Sequence, residues 1–284
     1  MKKGFMVVSV VLIALYASVA FAQEEVAGAS SIPGGKQGPR VVAPVEETGG
    51  CCACPPEPFV TGDVYAGPMN KYLFRGNDLS ANRWVVQGGA DLYYKDWTLS
   101  YWGNYQTKAT DTLRNFTEHD LALNYAYTPH ELVTLNVGNY MYDYANVTTN
   151  ELYLKANLNT LLTPTLAVYW DWDKASRAGL YYAASVSHKL VIERNVLSAT
   201  FGALVSYNQW NNNTAVNVNS DDPFDGAYSG FHNYELSASA DYTVNGHITI
   251  TPSYLFSNAL TAKARNLAGI GPEHAYGIKA TFAF

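Results

Sequence analysis

The sequence predicts an all-β fold: one transmembrane, antiparallel, up-and-down β-barrel of about twelve strands behind a disordered N-terminal linker. Three observations carry this expectation. From Phe59 onward, stretches of about ten residues alternate apolar with polar or small side chains, the length that crosses a bilayer as a tilted strand. Short and long connections between those stretches alternate. The chain also opens on an export signal and closes on an alternating strand that ends at Phe284.

Composition agrees. Of 284 residues, 48% are hydrophobic and 14% aromatic, with 22 Tyr, while only 15% are charged. Soluble domains carry roughly 25% charged residues, so part of this surface is expected to lie out of water. The mean hydropathy of −0.11 argues against spanning helices. It suits a barrel, in which every second strand residue meets lipid. The formal net charge is −6 and no basic run follows Lys2-Lys3, so no nucleic-acid partner is expected.

Residues 1–22 read as a secretory signal peptide. Lys2 and Lys3 precede an apolar run ending in Ala20-Phe21-Ala22, and small residues at the last and third-last positions place cleavage after Ala22. An uncleaved helix anchor is the rival reading, since the run could almost span a bilayer. Residues 23–57, rich in Gly, Pro, Ala, Glu and Val, lack a strand or helix period and read as a disordered periplasmic linker. They hold Cys51, Cys52 and Cys54. Cys51 and Cys54 have the C-x-x-C spacing of metal and redox sites, but no second pair completes a zinc set. A local or intermolecular disulfide of an oxidising compartment is favoured, with one thiol left over.

The barrel is expected over residues 58–284. Strands are expected near 59–66, 84–94, 97–106, 116–127, 132–142, 151–159, 165–173, 179–189, 196–208, 231–243, 247–256 and 274–284. In the stretch from Glu118 to Tyr127, His119, Leu121, Leu123, Tyr125 and Tyr127 share one face. Glu118, Asp120, Ala122, Asn124 and Ala126 share the other. If the first strand starts in the periplasm, the connections there are short, as at Lys95-Asp96 and Val244-Asn245-Gly246. Most of the opposite ones are long: 67–83, 107–115, 209–230 and 257–273. A soluble sandwich has no reason to sort its loops in this way.

Aromatic residues at outward positions near the strand ends predict two interfacial girdles. Tyr94, Trp97, Tyr125, Tyr127, Tyr242, Phe282 and Phe284 fall at one level, and Tyr105, Trp170, Trp172, Tyr207, Tyr234, Tyr254 and Phe256 at the other. The last strand, Tyr276-Gly-Ile278-Lys-Ala280-Thr-Phe282-Ala-Phe284, resembles the C-terminal signature of barrels delivered to the outer-membrane insertion machinery. The expected location is the outer membrane of a Gram-negative cell. Its lipid and that machinery are the expected partners, together with small solutes or ions.

Residues 61–76 contain Tyr72, Phe74, Arg75 and Gly76 in a Tyr-x-aromatic-Arg-Gly arrangement, followed by Gln87-Gly88-Gly89. Over residues 60–105 this resembles the opening of the TorF-type porin family, proteobacterial outer-membrane proteins of otherwise unknown function. The sequence departs from that pattern at Asn77-Asp78 and in the Cys-bearing linker. The resemblance implies a barrel with a transport role and no particular solute.

Inward positions should hold the charges, since a charge on the lipid face costs about 2–4 kcal/mol at mid-bilayer. The expected pore-lining set is Asp63, Asp91, Glu118, Asp120, Glu151, Asp171, Asp173, Glu235 and Asp241 among acids, with Lys155 and Lys279 among bases. Such a lining predicts passive diffusion of small solutes or ions with a mild preference for cations. Inward Tyr93, Tyr140, Tyr142, Tyr153, Tyr169 and Tyr181 could nearly fill so narrow a barrel. Arg75 has two readings: it lines the pore mouth or folds the first loop inward to meet acids, or it caps the loop with Gly76 supplying a turn; a structural pairing is favoured.

Asp221, Asp222 and Asp225 in loop 209–230 could offer oxygens to calcium, but they lack the EF-hand spacing and read as a solvated acidic loop. No nucleophile elbow and no H-E-x-x-H occurs. Catalysis, a metal centre and a cofactor are therefore not expected. A plugged barrel serving as adhesin or scaffold, and an outer-membrane hydrolase, are the alternatives.

Overall fold

The computed structural model describes residues 60–108, 115–144, 147–175, 177–211 and 228–284. The stretches expected to be signal peptide and linker, with Cys51, Cys52 and Cys54, and the aspartates of loop 209–230 lie outside the described residues. Twelve strands close into one antiparallel barrel. They are β1 (Thr61–Met69), β4 (Val85–Tyr94), β5 (Trp97–Gln106), β6 (Phe116–His130), β7 (Val133–Tyr144), β8 (Val147–Leu158), β9 (Thr165–Asp171), β10 (Leu180–Glu193), β11 (Leu197–Gln209), β12 (Ser229–Thr243), β13 (Ile248–Ala259) and β14 (Glu273–Ala283). Each strand pairs with its sequence neighbour. β1 closes the cylinder on β14, with Asp63 opposite Ala283 and Ala66 opposite Ala280. Closure leaves no unpaired edge, which a lipid-embedded sheet requires because hydrocarbon offers no hydrogen bonds.

The expected strands coincide with the observed ones to within a few residues. Two elements were not anticipated. A two-residue hairpin, β2 (Leu73–Phe74) with β3 (Asn77–Asp78), sits inside the first long loop. A short helix, α1 (Ala262–Ala268), sits inside the last one. Thr261 caps the helix by accepting from the Ala264 amide, and Gly269 ends it at φ 69°. The helix packs Ala264 and Ala268 with Tyr228, Ala259 and Ile270.

Alternation along each strand separates two environments. Leu121 and Leu123 of β6 and Leu152 and Leu154 of β8 are exposed on the outer wall, whereas Asp120, Asn124, Glu151 and Tyr153 are buried within. Trp97, Tyr127, Tyr242, Phe282 and Phe284 are exposed at the short-turn end. Tyr105, Trp170, Trp172 and Tyr254 are exposed at the long-loop end. An apolar belt bounded by aromatic rims matches a bilayer and its two interfaces. Among the described residues no helix is long and apolar enough to cross a membrane; the strands do so.

Four register shifts interrupt strict alternation, at Asn104/Tyr105, Tyr127/His130, Val191/Glu193 and Val205/Tyr207, and two of them bury an extra side chain beside the plug. Opposite Ser206 of β11, β12 carries the extra residue, so that His232 and Asn233 are both buried. Opposite β5, a shift between Asn104 and Tyr105 buries Thr117 beside Glu118.

Candidate functional site: the barrel interior and its first-loop plug

Side-chain size grades along the lumen. Toward the short-turn end the inward positions of β5, β10 and β11 carry small polar groups, Thr98, Ser100, Ser187, Ser198 and Thr200, while β1 and β4 carry Asp63, Asp91 and Tyr93 there. Toward the long-loop end the inward positions carry rings. Tyr140, Tyr153, Tyr169 and Tyr181 stand on four successive strands, β7 to β10, with centroids 4.9, 5.9 and 5.9 Å apart. Tyr142 stacks on Tyr140 at 5.5 Å. The Tyr153 ring lies flat because its cross-strand partner is Gly138. A Cβ there would fall 2.5 Å from the Tyr153 hydroxyl and 2.3 Å from the Leu123 carbonyl.

The first loop folds into this ring of tyrosines. Asn70 makes the departure: its amide donates to Tyr276 O, its side chain donates to His274 O and accepts from the Tyr276 amide. These bonds extend the β1–β14 ladder while the main chain turns inward. Lys71, buried, is held by Glu273 at 2.6 Å and by Asn82 at 2.5 Å. Asp78 accepts from the Ser80 and Asn82 amides and fixes the return. Between them, Arg75 (φ 47°) and Gly76 (φ 87°) form the two-residue tip of the hairpin. Successive positive φ values are the tight turn that matches strand twist, and glycine adopts one of them at no steric cost.

The tip carries the central contact. The Arg75 guanidinium makes two parallel bonds to Glu151, Nη1 to Oε1 at 3.0 Å and Nη2 to Oε2 at 2.8 Å, with both side chains at 1% exposure or less. The rings of Phe74, Tyr169 and Tyr181 lie 4.9, 4.8 and 4.2 Å from its central carbon. Glu151 also accepts from Tyr142 Oη at 3.1 Å and Asn211 Nδ2 at 2.8 Å. The charge is thus paired, hydrogen-bonded and faced by π-electrons, which is what a buried ion requires. His232 holds the main chain of the tip. Its Nε2 lies 2.9 Å from Arg75 O, an acceptor, so Nε2 carries the proton and Nδ1 accepts from Tyr228 Oη. Tyr72 and Phe74 complete the plug against Trp102, 5.2 Å from Tyr72, and Tyr142, 6.1 Å from Phe74. Burial, and then the carboxylates of Glu118 and Asp120, push the Tyr72 phenol well above its ordinary range, so it remains a donor.

The remaining candidates scatter over the wall. Asp63 accepts from Tyr93 Oη at 2.8 Å, and Asp91 is buried on the neighbouring strand. Glu118 and Asp120 are buried side by side on β6. Lys155 Nζ lies over Tyr153 at 4.7 Å, below the ring of tyrosines, and Lys279 over Tyr65 at 5.1 Å. Asp171 accepts from Thr149 Oγ1 and from the Lys174 amide, closing the turn after β9. Glu235 accepts from Asn233 Nδ2 at 2.9 Å. Asp241 accepts from Thr251 Oγ1 and approaches Lys189 at 4.0 Å.

Asp173 lies beyond its strand. β9 ends at Asp171, so Asp173 leaves the alternation and instead pairs, exposed, with Asn150 Nδ2 and Lys174. Trp102, Asn211, Tyr228 and His232 carry the plug and were not identified from sequence. Trp102 sits at an inward position of an alternating strand and was legible there. His232 was not, because only the bulge turns it inward. Among the described residues no three His, Cys, Asp or Glu side chains converge as a metal centre would need.

No family model and no curated protein matches this sequence. Solved structures do resemble it in fold. The NanC porin superposes with a TM-score of 0.50 at 13% identity, covering 78% of this chain and 98% of its own. The KdgM porin gives 0.49 at 10% identity, covering 78% and 99%. A closed barrel with a lipid-compatible wall and a polar, charged interior defines the class: this is an outer-membrane β-barrel with the fold of a porin.

Proposed function

We propose that the protein is a porin-like channel for passive diffusion of small solutes or ions, narrowed at its outer half by the first-loop plug. It is a porin of the TorF type and enters the membrane through the insertion machinery by its last strand. The observation that carries this reading is a barrel interior lined by charge and hydroxyl groups rather than an apolar core. Small polar residues keep the short-turn half wet, while the Arg75–Glu151 pair and the tyrosines set the constriction. A mild cation preference follows from the lining. Inward acids outnumber inward bases among the described residues, and Arg75 is neutralised by Glu151.

Burial of the plug favours a second reading, a barrel that stays closed and serves as adhesin or scaffold. Single-channel conductance in a planar bilayer, with reversal potential under a KCl gradient, separates the two. Discrete steps with cation-selective reversal support the channel and its acidic lining. Anion-selective steps overturn the cation preference. Verified insertion without conductance, in the wild type and in a variant with residues 72–78 replaced by a short Gly-Ser turn, overturns the channel.

A further inference from the structure

Beside the plug, two buried carboxylates lie side by side with no counter-charge paired to them among the described residues. Glu118 and Asp120 lie two residues apart on β6, hence on the same inner face, at 3% and 2% exposure. Neither oxygen of Asp120 has a close hydrogen-bond partner among the described residues, and neither does Oε2 of Glu118; the donors turned toward the pair are the Asp143 amide and the Tyr72 hydroxyl. Among the described residues, the charged groups that weigh most on Asp120 are Glu118, Asp143 and Glu151, all acidic. Arg75, the cation of the plug, is committed to Glu151. A third oxygen, the buried Tyr72 hydroxyl carried in by the first loop, is directed at the same two carboxylates.

Buried polar groups in folded proteins are satisfied, and an orphan marks a place for water or an ion. A lone buried carboxylate is costly and two adjacent ones more so. We propose that Glu118 and Asp120, with the Tyr72 hydroxyl alongside, form a binding site for a hard divalent cation of the calcium type. Two carboxylates neutralise a divalent charge and offer about four of the roughly six to eight oxygens that calcium takes, water supplying others. The bound ion ties the plug to β6, since Tyr72 belongs to one and the carboxylates to the other. The site stands on burial and oxygen placement, and it holds whether or not the barrel conducts.

The test uses full-length folded protein in detergent micelles, titrated with terbium and excited through Trp102, whose ring lies 5.2 Å from Tyr72. Saturable sensitised emission, displaced by calcium, is expected in the wild type and in the Asp173→Asn control. It should vanish in the Glu118→Gln/Asp120→Asn double variant. Trp102→Phe should lose the emission while calorimetric calcium binding persists. If the double variant does not fold, Asp120→Asn alone should weaken binding by about tenfold or more, with folding checked by heat-modifiable gel migration. No emission and no calcium heat in the wild type would overturn the site. So would emission unchanged in the double variant, which places the ion on other acids.

Discussion

Arg75 and Glu151 are 76 residues apart in the chain and meet in the lumen as a two-bond ion pair of 3.0 and 2.8 Å. One comes from the tip of a loop and the other from the barrel wall. The pair therefore fixes where the loop rests without belonging to the sheet that encloses it.

Replacing Glu151 by Gln keeps the shape and removes the anion. Breaking one side of a buried pair costs about 3–5 kcal/mol. The wall's strand ladder does not include the hairpin, so the cost is expected to expel the plug rather than unfold the barrel. Single-channel recordings should show a larger conductance than wild type, while heat-modifiable migration stays unchanged. A variant with wild-type conductance would detach the pair from the constriction.

His232→Ala removes the donor to Arg75 O and leaves that carbonyl and Tyr228 Oη unpaired, at about 1–3 kcal/mol. Arg75 is buried in the folded protein. Limited trypsin digestion of reconstituted protein should therefore cut after Arg75 faster in this variant than in wild type.

Gly138→Ala drives a Cβ onto the Leu123 carbonyl and the Tyr153 hydroxyl, and only the second can yield. A loss of about 1–3 kcal/mol in urea unfolding is expected. Gly246→Ala, with nothing within 4 Å, is the matched control and should be near neutral.

Leu123 lies midway along β6 on the outer wall. Leu123→Arg should destabilise the barrel in lipid vesicles by about 2–4 kcal/mol. In detergent, where the wall is less strictly apolar, the deficit should shrink.

The terminal residue closes the cylinder. Gly62 and Phe284 exchange two main-chain bonds of 2.9 Å at the seam. Deleting Phe284 should lower the yield of heat-modifiable protein in outer-membrane fractions, with export across the inner membrane unaffected.

The twelve strands were legible because side-chain alternation is local: Leu121 and Leu123 read as outward and Asp120 as inward from adjacent residues alone. The same rule puts Tyr140, Tyr153, Tyr169 and Tyr181 on the inner face, where they are buried. The end of β9 was not legible: the strand stops at Asp171, whose carboxylate turns the chain two residues before Asp173, and no period reports such an end. The inward facing of His232 was not legible because a bulge, a property of two paired strands, reverses it.

By itself, then, the sequence determined a lipid-facing wall, a charged interior and the strand order, since each depends on period-two alternation and on turns between neighbours. It also supplied Arg75 and Gly76 as a tight turn. Only the tertiary structure decided that Glu151, and not Glu118 or Asp120, receives Arg75. That outcome depends on which side chains face each other across a closed cylinder, and closure joins residues whose separation along the chain carries no local signal.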